Sequence, residues 1–162
     1  TEVPRMRLTI VFLFVALAGC TSPSLQGIFE APGAAPAALP APTLDPTPPP
    51  APPTDATTVD QFDTTTEEDR AEATSVDDST EAEELGVTIA SLGPPTEPGI
   101  WLKTPLVTEL TPGRITFNDK SINVELRPSG GSAGSGSQIS LAAMRLIEAP
   151  LTGLPEITVF RR

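Results

Sequence analysis

The chain has 162 residues, enough for one ordinary domain, but with twenty prolines, six Phe, one Trp and no Tyr it is poor in core-forming side chains. It holds no histidine, which removes the commonest general base and metal ligand, and no metal or cofactor is expected. Clustered Lys and Arg, which phosphate binding needs, are missing, so the composition argues against a nucleic-acid partner. The net charge of −11 is unevenly spread. Asp60–Glu84 carries eleven acids against Arg70, whereas Leu85–Arg162 has six acids and seven bases. The acidity belongs to one segment.

Leu8–Ala18 is the longest apolar run, and it follows Arg5 and Arg7. Spanning a bilayer takes about 20 apolar residues. A charged start, a short apolar stretch and a small-residue exit describe a removable secretory signal over residues 1–19, with Met6 as its expected start. The exit, Leu17-Ala18-Gly19-Cys20, contains the only cysteine of the chain. It resembles the lipobox of bacterial lipoproteins. The resemblance implies cleavage before Cys20, whose thiol accepts diacylglycerol, with Leu17, Ala18 and Gly19 as the cleavage motif. Two or three acyl chains, at about 0.8 kcal/mol per buried CH₂, hold a protein on a membrane where one chain is marginal. Thr21 stands where Asp favours inner-membrane retention in such lipoproteins. An outer-membrane anchor facing the periplasm is therefore expected.

Residues 20–85 are expected to form the lipidated N-terminus and a disordered linker. A Pro/Ala tract, "APGAAPAALPAPTLDPTPPPAPPTDA", favours extended polyproline conformation. The acidic stretch that follows has few large apolar residues and repels itself. A short helix near Glu67–Ala73 would lack an apolar face to dock. As a coil, such a tether reaches roughly 50 Å on average and about 200 Å when stretched.

Residues 86–162 read as short strands. In "GVTIASL", Val87 and Ile89 alternate with Thr88 and Ala90. "IWLKTPLV" follows the turn-rich "GPPTEPG". "RITF" and "SINVELR" flank Asn118-Asp119-Lys120 as a hairpin, with Ile122, Val124 and Leu126 on one face. A Gly/Ser-rich loop, "PSGGSAGSGSQ", precedes a helix capped by Ser140, whose apolar edge is Leu141, Met144 and Ile147 and which Pro150 stops. "EITVF" supplies the last strand. The expected fold is mainly β, a small double-psi-like β-barrel with one short helix after a long disordered linker.

The stretch from Pro112 to Phe160 resembles the double-psi β-barrel of rare lipoprotein A. Ser129 falls where that family carries its catalytic Asp, Ser140 replaces the Asp opening its helix, and its histidine has no counterpart. Glycan cleavage needs a proton donor, and these positions provide none. Segments such as "SLGPPTEPGIWLKTPLV" are also similar to short lipoproteins labelled sugar-acid (D-galactarate) dehydratases, a chemistry no ligand cluster here supports. The expected function is a non-catalytic outer-membrane lipoprotein that binds or spaces peptidoglycan or an envelope protein. The alternatives are a degenerate wall-cleaving enzyme and the dehydratase. Trp101, Arg114 and Arg127 are the candidate ligand contacts. Trp101 could stack on a sugar or serve as core, and the arginines could take a wall carboxylate or be exposed charges.

Overall fold

The structure, a computed structural model, describes residues 44, 45, 47–76 and 82–162. Six strands close into a barrel with the circular order β1-β5-β2-β4-β3-β6. They are β1 (Glu83–Leu92), β2 (Trp101–Thr104), β3 (Thr111–Phe117), β4 (Lys120–Pro128), β5 (Ser137–Ile139) and β6 (Glu156–Arg161). Two neighbours run parallel, β1 with β5 and β2 with β4, and the remaining pairs are antiparallel. The fold is thus mainly β, a closed barrel with one short helix, α3 (Leu141–Leu146), between its last two strands.

Strand periodicity explains the interior. Ile122, Val124 and Leu126 of β4 point inward, opposite Ile115, Gly113 and Thr111 of β3. Leu102, Ile139, Ile157 and Val159 complete the lining and are fully buried. The hairpin turns through Asn118 and Asp119, with Asn118 at φ 50°, so Lys120 already belongs to β4. On β1 the apolar side chains are turned outward. Val87 and Ile89 are about half exposed, while Thr88 and Ala90 face the interior. The Thr88 hydroxyl bonds Ser137 Oγ at 2.9 Å, and Ser137 Oγ donates to Thr104 Oγ1 at 2.9 Å. This chain of hydroxyls satisfies the polar groups that β1 turns inward. β5 was not expected, because three residues at the end of a Gly/Ser loop carry no readable alternation.

A barrel this narrow needs small residues at its closest approaches. A Cβ on Gly113 would lie 2.7 Å from the Phe160 carbonyl oxygen and would also run into the Leu126 side chain. The carbonyl belongs to the backbone of a paired strand and cannot step aside. Gly113→Ala is therefore expected to destabilise the fold by about 1–3 kcal/mol through overpacking, read from the urea midpoint.

The Ser140 hydroxyl caps α3 by accepting from Ala143 N–H at 3.3 Å. Leu141, Met144 and Ile147 are buried, as their spacing predicts. The helix ends before Pro150 is reached. Glu148 turns left-handed at φ 57°, its N–H bonds the Arg145 carbonyl, and the Ala149 N–H reaches back to Met144. These paired bonds form a Schellman closure, with glutamate where glycine is usual.

The compact part also begins earlier than the sequence suggests. Residues 47–76, counted above with the linker, carry α1 (Val59–Phe62) and α2 (Glu67–Thr74). Thr66 and Asp69 cap α2 reciprocally, at 3.1 and 2.7 Å. α2 does dock, on the outside of β4, and polar groups hold it rather than an apolar face. Asn123 Nδ2 donates to the Glu72 and Ser75 carbonyls at 3.4 and 2.9 Å. Arg145 of α3 grips Asp60 at 2.9 Å and Asp63 at 2.8 Å. The earlier part of the expected linker lies outside the described residues.

Candidate functional site

The most elaborate side-chain cluster lies on the outer wall of β2 and β4. Strand pairing sets Trp101 beside Glu125 and Lys103 beside Arg127. Leu102, Leu126 and Thr104 fill the interior, so alternation turns Trp101, Lys103, Glu125 and Arg127 outward. The loop between β1 and β2 folds back over them. A Cβ on Gly93 would lie 2.5 Å from Cη2 of Trp101, so that glycine is what lets the loop lie flat on the ring.

Trp101 is therefore fully buried, although it lies outside the barrel. Its Nε1 donates to the Glu97 carbonyl at 3.3 Å, and its backbone exchanges hydrogen bonds with Ser140. Lys103 Nζ and Arg127 Cζ each lie 5.2 Å from the ring centroid, within cation–π range. Arg127 extends Nε to Glu125 at 2.6 Å and Nη1 to Glu97 at 3.1 Å, while Lys103 reaches Glu97 at 3.2 Å. Two acids and two bases thus neutralise each other around one indole. The Arg127 and Glu125 side chains are only 9% and 10% exposed, and burial at that level requires such pairing.

Of the three candidate contacts, Trp101 and Arg127 come together and Arg114 does not join them. Trp101 is covered, so no sugar can stack on it in this arrangement. Arg114 is half-buried on β3, opposite Asn123 and further along the wall. Ser129 is exposed, and its hydroxyl accepts from Gly131 N–H at 3.2 Å within the Gly/Ser loop. Ser140 is a buried helix cap. Leu17, Ala18, Gly19 and Cys20 lie outside the described residues. Glu97 and Glu125 were not among the sequence candidates. The legible signal was the two-residue spacing of Trp101 with Lys103 and of Glu125 with Arg127, which puts each pair on one strand face.

Beside this cluster a cavity of about 360 Å³ opens between the barrel wall and the acidic segment. Asn123, Val124, Glu125 and Arg127 line its barrel side, and Pro48, Pro49, Asp69 and Ala73 its other side. Among the described residues no three His, Cys, Asp or Glu side chains gather as metal ligands. Nor is any described helix long and apolar enough to cross a membrane. The acids that meet in this site, Glu97 and Glu125, are both held by cations. Compared with known protein families, curated proteins and solved structures, the chain matches none.

Proposed function

We propose that the protein is an outer-membrane lipoprotein, anchored through acyl chains on Cys20, whose barrel binds or spaces envelope components in the periplasm without catalysis. The anchor rests on the signal layout of residues 1–19 and the Leu17-Ala18-Gly19-Cys20 motif. The observation that carries the non-catalytic reading is the engagement of Glu97 and Glu125 by one guanidinium at 3.1 and 2.6 Å. Carboxylates held in that way, with Lys103 also on Glu97 at 3.2 Å, are engaged in fixing the loop and the strands to each other. Peptidoglycan, or another envelope protein, is the partner class.

Two measurements test this reading on the full chain in a Gram-negative host. In the first, the wild-type protein partitions with the membrane fraction and mass spectrometry finds Cys20 acylated. Cys20→Ser carries no acyl chain and keeps the leader of residues 1–19. An unmodified thiol on the native protein defeats the anchor. In the second, the protein is mixed with purified cell-wall sacculi. Co-sedimentation without soluble fragments supports a binder, and release of fragments would replace it with the wall-cleaving alternative.

A further inference from the structure

We infer that the outer wall of β4, flanked by Arg145 of α3, is a peptide-binding surface which the chain's own acidic segment, residues 47–76, occupies, and that an acidic peptide of a partner protein takes its place. This deepens the proposed function by naming what the barrel binds, and it rests on reading the barrel as a binding module.

Each contact to the segment reads a peptide feature. Arg145 spreads its two terminal nitrogens over the carboxylates of Asp60 and Asp63, one turn apart at 2.9 and 2.8 Å. Asn123 Nδ2 donates to two peptide carbonyls, those of Glu72 and Ser75. Glu125 accepts the N–H of Leu44, just ahead of the same segment. A cation for carboxylates, an amide for carbonyls and a carboxylate for an N–H together recognise acidic peptide chain. The segment matches that chemistry, with seven acids against Arg70.

The fit is nevertheless incomplete. The cavity of about 360 Å³ stays open between segment and wall. Asn123 Oδ1, on the wall of that cavity, is buried, and no donor reaches it among the described residues. Such an acceptor is costly to leave unmade. The apolar contribution is small, since α1 buries no side chain, α2 buries only Ala73, and outside the helices Pro49 is the one buried apolar residue of the segment. Of the two aspartates, Asp60 is exposed and holds weakly, whereas the Asp63 side chain is buried and also meets Arg70 at 3.3 Å. A partner peptide that brings a donor to Asn123 and a side chain into the cavity displaces the segment.

The test uses the full chain with Asp60→Lys and Asp63→Asn, which loosen the internal segment, against wild type. The probe is a fluorescein-labelled synthetic peptide of residues 47–76 with the native sequence, followed by fluorescence anisotropy. The variant is expected to bind it about tenfold more tightly, because apparent affinity falls with the fraction of wall left open. Adding Arg145→Gln should abolish that gain, and a peptide with Asn at both aspartate positions should show none. Equal affinity for wild type and variant, or binding to neither, overturns the inference. Should the double variant not fold, Asp60→Lys alone supports the same comparison, since that side chain is 84% exposed. Loss of peptide binding with intact sacculus binding sinks this inference and leaves the proposed function standing. Peptide binding without sacculus binding upholds the inference and narrows the proposed function to a protein partner.

Discussion

Trp101→Ala is expected to destabilise the protein by about 3–5 kcal/mol, the loss typical of a large buried aromatic. The ring is completely buried yet stands outside the barrel, so it joins three parts that would otherwise touch little. Its edge meets the loop at Gly93, Lys103 and Arg127 lie over the ring, and Nε1 ties the loop down at the Glu97 carbonyl. Alanine would open a void on the wall and release the loop that covers it. Urea unfolding should show the lower midpoint with little change in slope. Trp101→Phe keeps most of the apolar area and loses the Nε1 bond, so about 1–2 kcal/mol is expected. A loss below about 1 kcal/mol for the alanine variant would mean the ring only shields the wall and does not hold the loop.

Arg127→Met is the second large effect, with an expected cost of about 3–5 kcal/mol, as for breaking one partner out of a buried ion pair. The methionine stem still packs against Trp101, so the loss reports on charge more than on volume. Glu125, 10% exposed at its side chain, would lose the guanidinium that now lies 2.6 Å away. Glu97 would keep Lys103, at 3.2 Å, and should suffer less. Adding Glu125→Gln to Arg127→Met should therefore recover part of the stability, whereas Glu97→Gln should recover less. Arg127→Lys is expected to fall in between, since an ammonium cannot fork to both carboxylates and cover the indole together. If Arg127→Met proves neutral, the wall is hydrated and the carboxylates are solvated rather than paired.

Both variants probe residues whose importance was only half legible. Trp101 and Arg127 stood out as candidates by residue type, but nothing in sequence joined them to Glu97 and Glu125. The parallel pairing of β2 with β4 does that, across a separation of more than twenty positions. Arg114, an equal candidate by type, is carried to another part of the wall because it pairs opposite Asn123.

Local patterns fared best where local physics decides. Alternation in Ile122, Val124 and Leu126, the turn chemistry around Asn118, the Ser140 cap and the closing strand with Ile157 and Val159 were fixed by neighbours in the chain. Placing Val87 and Ile89 outward was beyond that reach, since the hydroxyl chain through Thr88, Ser137 and Thr104 forms only after three distant strands meet. The short β5 is a strand only because β1 and β2 flank it. Likewise α1 and α2 have no apolar face to announce docking, and their anchors Asn123 and Arg145 come from the barrel. By itself the sequence determined the mainly β character of the C-terminal half, its hairpin and its capped helix, because those depend on periodicity and nearest neighbours. Tertiary structure alone decided the closure of the barrel, the buried charge cluster on its outside and the seat of the acidic segment, because each needs groups far apart in the chain to share one space.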